Sequence, residues 1–292
     1  MTLHMADIGL LEKTVKMLQP VLPRRFRGDV PVVPVVRLTG VIGFSTPLRP
    51  GLTLSSVAKQ LDRAFAWPRA RAVALSINSP GGSAVQSHLV FQRIRQLSAE
   101  KKLPAIAFVE DVAASGGYWL ATAADEIYAD ECSIVGSIGV IAAGFGFPEL
   151  LQRLGIERRV HTAGPRKAML DPFRQEQPED VARLIALQQE IHEGFKAQVR
   201  ERRAGKLKGD EAELFSGDIW TGRPALARGL IDGIGDLRGI LRGRYGERVK
   251  LVPVGTPRGW LRRRLGLARP ESWADQLAAT LEERALWGRY GL

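Results

Sequence analysis

The stretch AIAFVEDVAASGGYWLATA, residues 105–123, decides the fold. Its opening run, Ala105–Glu110, is apolar with almost no polar alternation, the pattern of a strand covered on both sheet faces. The small residues Ala113-Ala114-Ser115-Gly116-Gly117 read as a turn, and Gly117–Ala123 as a helix. The same order occurs just upstream. A buried strand, Ala72–Ile77, leads into the turn Asn78-Ser79-Pro80-Gly81-Gly82 and then a helix from about Ala84 to Leu97. Two strand–turn–helix units in succession predict an α/β fold with helices packed on the sheet.

Outward from this centre, Val32–Leu38 reads as a strand interrupted by Pro34, turning at Gly40 and continuing through Val41–Phe44. A helix is expected over roughly 55–66, and a short strand near Ile127–Ala129 precedes the Gly-rich stretch Gly136–Gly146. Residues 178–203 read as a long polar helix, with Leu184, Leu187, Ile191, Phe195 and Val199 at helical spacing and Pro178 at its start. A short helix, Arg223–Arg228, lies among the glycines of 216–236. At the ends, residues 3–18 and 271–287 read as amphipathic helices. Three regions follow: 1–30, a helix and basic hinge with Arg24, Arg25 and Arg27; 31–240, the core; and 241–292, a basic Arg/Trp-rich tail.

The composition is that of an ordinary globular chain: 292 residues, 45% hydrophobic and 25% charged. The single cysteine, Cys132, cannot make an internal disulfide. No apolar stretch approaches the ~20 residues a bilayer span needs. A cytoplasmic location is therefore expected, with peripheral contact to the inner membrane face open. The net charge of +11 is uneven: from residue 237 onward eleven arginines and one lysine stand against five acids. Such a tail suits an anionic surface, or is a set of solvated helix faces.

Chemistry concentrates at the two glycine turns. Backbone N–H groups at a strand-to-helix junction have no intrahelical partner and can hold developing negative charge. The second turn adds Ser115, flanked by residues small enough for a substrate backbone to approach. The same serine also reads as a helix N-cap. A nucleophilic serine needs a base. His4, His88, His161 and His192 show no orienting aspartate, and no His/Cys/Asp cluster has metal-ligand spacing. Lysine is the remaining type, since desolvation or neighbouring positive charge can make it neutral at pH 7. Lys167, in Gly164-Pro165-Arg166-Lys167-Ala168-Met169-Leu170, is the candidate; by spacing alone it reads as a surface lysine.

The runs Ile77–Gly82, Glu110–Tyr118 and Gly136-Ser137-Ile138-Gly139-Val140 together resemble the signal peptide peptidase A, or protease IV, family in its short, single-core form. Thr162-Ala163-Gly164, Asp171-Pro172-Phe173, Trp220-Thr221-Gly222 and Gly229-Leu230-Ile231-Asp232 fit the same pattern, so the resemblance covers roughly residues 31–240. It implies a Clp protease/crotonase-like fold and a serine endopeptidase with a Ser–Lys dyad, acting through an acyl-enzyme on peptides such as signal peptide remnants or unfolded segments. Ser115 takes the nucleophile's place, Lys167 the base's, Gly82 and Gly116 the oxyanion hole's, and Ser137 that of a serine orienting the lysine. No metal or cofactor is implied. By analogy with tandem-core relatives, a ring of identical subunits would complete each dyad between neighbours, leaving Ser115 Oγ and Lys167 Nζ of one chain beyond hydrogen-bond reach. Pro165-Arg166 stand where the family often has an aromatic.

Other readings remain open. A crotonase-like acyl-CoA enzyme would place a carboxylate at the site and leave Ser115 and Lys167 idle. A non-catalytic membrane-associated scaffold would use the Arg-rich tail with Trp260, Trp273 and Trp287. Specific nucleic-acid binding has no motif beyond charge.

Overall fold

The computed structural model describes residues 30–43, 51–164, 166–255 and 287–291. The expected amphipathic helices at 3–18 and 271–287 lie outside the described residues, apart from Trp287.

Among the described residues eight strands form one sheet: β1 Val32–Thr39, β2 Val73–Ser79, β3 Ala105–Ala114, β4 Glu126–Ala129, β5 Ile134–Gly136, β6 Ile219–Thr221, β7 Gly233–Ile234 and β8 Lys250–Pro253. Along the main path the order is β6-β5-β3-β2-β1-β8, with β4 and β7 branching from β3. All pairs are parallel except β5–β6. The helices are α1 Leu54–Phe65, α2 Ala84–Lys101, α3 Gly116–Ala121, α4 Pro148–Arg153, α5 Pro178–Arg202, α6 Glu211–Leu214, α7 Gly222–Ala227 and α8 Leu237–Tyr245. The repeated strand–turn–helix units are therefore present as β2–α2 and β3–α3.

The apolar runs are unbroken because both faces are covered. On one face Val36, Leu38, Leu75 and Ile77 pack with Leu61 of α1, Ile94 of α2 and Leu120 of α3. On the other, Val33, Val35, Ala74, Ile106 and Phe108 pack with Leu241 of α8. Polar side chains set where the helices begin. The Thr53 hydroxyl accepts from Ser56 N–H to start α1, and Ser83 accepts from Gln86 N–H to start α2. Pro34 is tolerated because its missing donor faces away from β8: Val35 O accepts from Val254 N–H on the β8 side, so Pro34 points toward β2, where the register begins only at Val35.

Three expectations are corrected. The sheet does not stop at residue 240: β8 pairs with Val32–Val35 of β1 and Val254 is buried, so the core runs through 254. Four residues ending in proline carry too little alternation to announce a strand. Second, Ala113 and Ala114 belong to β3 rather than to a turn, because β5 pairs with Val112–Ala114. Third, the apolar stripe of α5 is buried only at Phe195 and Val199, while Leu187 and Ile191 are exposed. Helical spacing identifies the stripe but not how much of it meets the core.

Candidate active site

Extension of β3 to Ala114 leaves Ser115 alone between strand and helix. Its backbone stands at φ 52° and ψ −121°, a left-handed geometry that costs a non-glycine residue about 1–3 kcal/mol. Its N–H donates to Gly136 O at 2.8 Å, and its carbonyl accepts from Trp119 N–H at 3.0 Å to open α3. The side chain makes no capping bond. The N-cap reading therefore fails, and a strained, partly exposed hydroxyl is left without a structural task at the helix start.

The two glycine turns interlock backbone to backbone. A β-carbon on Gly81 would lie 2.8 Å from Ser115 Cβ and 2.9 Å from Gly116 N. One on Gly116 would lie 3.4 Å from Gly82 N, and one on Gly117 would lie 2.3 Å from Ser79 O. The first turn is itself pinned to the chain after β1: Ile42 N–H donates to Gly81 O and Ser83 N–H to Ile42 O, while Ser79 Oγ donates to Gly40 O. Gly82 N–H and Gly116 N–H donate to no acceptor among the described residues. Two free amides thus lie close together beside Ser115, the kind of arrangement that can hold a tetrahedral oxyanion. Tyr290 places its hydroxyl 3.5 Å from the Pro80 carbonyl of this turn.

Gly81→Ala should expose how tightly this geometry is needed. At φ 104° the new methyl is strained and presses on Ser115 Cβ and on the Gly116 amide. We expect kcat to fall about 10²–10³-fold, the scale of losing one oxyanion donor. Gly209→Ala has the same φ of 104° with nothing within 4 Å, so it should lose about 1–3 kcal/mol of stability yet keep kcat. Steady-state kinetics and thermal melting of both variants separate strain from site damage.

Ser137 joins this cluster. Ser115 and Ser137 are the first residues past the paired ends Ala114 and Gly136 of β3 and β5. Ser137 is buried, has φ 53°, and donates its N–H to Asp218 O at 2.6 Å. The structure thus brings Ser115, Gly82, Gly116 and Ser137 together.

Lys167 is placed differently. It sits on an arm, residues 140–177, that leaves the core after Gly139 and returns as α5. The arm is folded on itself: Phe147 packs on Phe173 with centroids 5.7 Å apart, and Arg158 bonds Asp171. That bond, with the Phe173 N–H, holds the Asp171 carboxyl below the ordinary carboxylate range. Lys167 is exposed in a turn where its N–H donates to Gly164 O, and no hydrogen bond joins it to Ser115. The arm carries Ile141, Phe145, Leu150, Leu154 and Ile156 exposed, Phe145 at 81%.

One polar contact escaped the sequence. His192, half-buried on α5, lies with Nε2 3.0 Å from Ile138 O, beside Ser137. A side chain bonding a backbone carbonyl 54 residues away leaves no local signature. Among the described residues no group of His, Cys, Asp and Glu is arranged to hold a metal ion, and no helix is long and apolar enough to cross a membrane.

Comparison with known proteins gives the family. The model of peptidase family S49 matches residues 97–243, which hold Ser115, Ser137 and Lys167. A Brucella abortus protein named Na(+)/H(+) antiporter NhaA is 54% identical over 288 residues, 94% of this chain but 39% of that protein. The chain thus spans about two fifths of that relative. A Synechocystis sp. protein, with protease as its provisional name, is 32% identical over 231 residues, 76% of this chain and 80% of that protein. Among solved structures, a mutant of the 1510-N membrane-bound stomatin-specific protease has a TM-score of 0.48 at 19% identity, covering 78% of this chain and 99% of that one. With half of its length matched by the family model, and with relatives named SppA and protease 4, the chain belongs to peptidase family S49.

Proposed function

We propose that this chain is a serine endopeptidase in which Ser115 is the nucleophile and Lys167, supplied by a neighbouring copy, is the general base. The observation that carries it is Ser115 itself, strained, uncapped and next to the free amides of Gly82 and Gly116. In this reading Ser115 Oγ attacks the scissile carbonyl while Lys167 Nζ takes the hydroxyl proton. The Gly82 and Gly116 amides hold the oxyanion. Collapse expels the amine, which receives the proton from Lys167, and a water deprotonated by the same lysine then hydrolyses the ester. Ser137 would accept from the lysine and hold it in line.

Two features support delivery of Lys167 from a second copy. A lysine becomes a base at neutral pH only in a desolvated or positively charged setting, and Lys167 is exposed in the single chain. The arm that bears it also presents an apolar surface that packing against a neighbour would bury. Peptides ending in small apolar residues, such as signal peptide remnants or unfolded segments, are the proposed substrates, and a ring of identical chains the proposed assembly. Contact of the basic termini with an anionic membrane surface is a compatible addition.

The test is complementation. Hydrolysis of a fluorogenic peptide ending in a small apolar residue should be lost in Lys167→Ala and in Ser115→Ala. Co-refolding the two variants should restore about a quarter of wild-type activity, because random mixing pairs an intact serine with an intact lysine at one site in four. Full activity in Lys167→Ala would remove the lysine from the mechanism, and no recovery on mixing would place both groups in one chain.

A further inference from the structure

The arm bearing Lys167 meets the core at a neck formed by two segments, the outgoing turn Gly136–Gly139 and the returning helix α5. Toward its C-terminal end α5 is firmly held. Phe195 stacks on Trp119 with centroids 4.3 Å apart, and Gln198 donates to Thr122 Oγ1 at 2.7 Å. Both partners belong to the helix, or its C-cap, that starts at Ser115. Toward its N-terminal end Ile191, Leu187 and Ile185 are exposed. His192 stands at the changeover, on the same helix face as Phe195 and Val199. Its Nε2 reaches across the neck to the carbonyl of Ile138, whose side chain is buried in the core. A carbonyl can only accept, so Nε2 carries the proton.

We propose that His192 is a positioning residue: by bonding Ile138 O it fixes the angle at which the arm leaves the core and hence where Lys167 is delivered. This rests on the Ser115–Lys167 reading. Outside the strand ladders the turn's other bonds, Gly136 O from Ser115 N–H, Ser137 N–H to Asp218 O and Gly139 N–H to Ser137 O, are all backbone. Among the described residues His192 is the side chain that hydrogen-bonds the turn from the helix. The bond lies at a lever's base, where a small change in angle becomes a larger displacement at Lys167. Misplacement of a catalytic group by about 1 Å is enough to cost about 10²-fold in rate.

The experiment uses the full chain with His192→Phe, which keeps ring bulk and removes the donor, and His192→Gln, which restores an N–H donor. Peptide hydrolysis and hydrogen exchange of the segment 136–141 are read for both. His192→Phe should lose about 10–100-fold in kcat with KM within about 3-fold, and exchange about 10-fold faster at 136–141. His192→Gln should recover most of both. Wild-type kcat in His192→Phe, unchanged exchange, or equal damage in the two variants would overturn the proposal. If Lys167→Ala is inactive while His192→Phe is active, only this inference falls. If Lys167→Ala is fully active, the parent reading falls and the positioning role falls with it.

Discussion

Replacement of Ser115 by alanine should abolish peptide hydrolysis, lowering kcat by about 10³–10⁶-fold, while the melting temperature stays within about 2 °C of wild type. The pairing of these two results follows from the geometry. A serine that caps a helix contributes about 1 kcal/mol, lost on truncation to alanine. Ser115 makes no such bond, so removing its hydroxyl takes nothing from the fold. What it does take is the hydroxyl of the residue beside the Gly82 and Gly116 amides. Ser115→Gly sharpens the contrast. Glycine accepts φ 52° without the penalty serine bears, so this variant should be equally inactive yet more stable by about 1 kcal/mol, or about 2–4 °C in Tm. Steady-state kinetics with the fluorogenic peptide, alongside thermal melting, checks both. Full activity after its removal would exclude Ser115 as the nucleophile, and loss of a full cap's worth of stability would show that its hydroxyl caps the helix.

The second large effect is on stability, at Asp232. Arg203, whose side chain is 2% exposed, donates Nη1–H to Asp232 Oδ2 at 2.6 Å and bonds Gly229 O through Nε and Nη2. Lys206 Nζ donates to Asp232 Oδ1 at 2.7 Å, and Ile127 N–H to Oδ2 at 2.8 Å. Nearby, Tyr118 OH bonds Leu230 O, and burial pushes its phenol far up. This network ties the end of α5 to β4 and to the segment before β7. Burial pushes the Asp232 carboxyl up, but the hydrogen bonds from Arg203 and Lys206 outweigh it and hold the group below its ordinary range. Asp232→Asn keeps an acceptor for Ile127 but leaves the Arg203 charge buried and unpaired. Breaking such a pair costs about 3–5 kcal/mol, or on the order of 10 °C in Tm for a domain of this size. The pH dependence has a definite sign. A depressed carboxylate pKa contributes stability that is full above the unfolded value of about 3.9 and is lost as pH falls through the folded value. The Tm gap between wild type and Asp232→Asn should therefore be constant at neutral pH and close below about pH 4. A gap that persists unchanged into acid would show that the ion pair is not its source.

Much of this architecture was legible in the sequence for a simple reason. Buried parallel strands demand unbroken apolar runs, and strand-to-helix turns packed against each other demand glycine. Both demands are met within a few consecutive residues, as at Ala72–Gly82 and Ala105–Gly117. The Ser-Gly-Gly turn announced itself in the same way, whereas the Gly-Ser-Ile-Gly turn was singled out by the family resemblance. His192 did not, because its partner Ile138 O is a backbone atom distant in sequence and backbone atoms carry no identity. The strand β8 did not either, since its burial depends on β1 rather than on its own four residues.

The sequence by itself determined the α/β class and the two glycine turns with Ser115 in the second, consequences of local side-chain size and polarity, while Lys167 and Ser137 were singled out as site residues by the family resemblance. Only the tertiary structure decided that Ser115 is strained and uncapped, that the Gly82 and Gly116 amides lie together beside it, and that Lys167 stands apart on an exposed arm. Those are relations between segments far apart in the chain, created by strand register and helix packing, which no single stretch of residues contains.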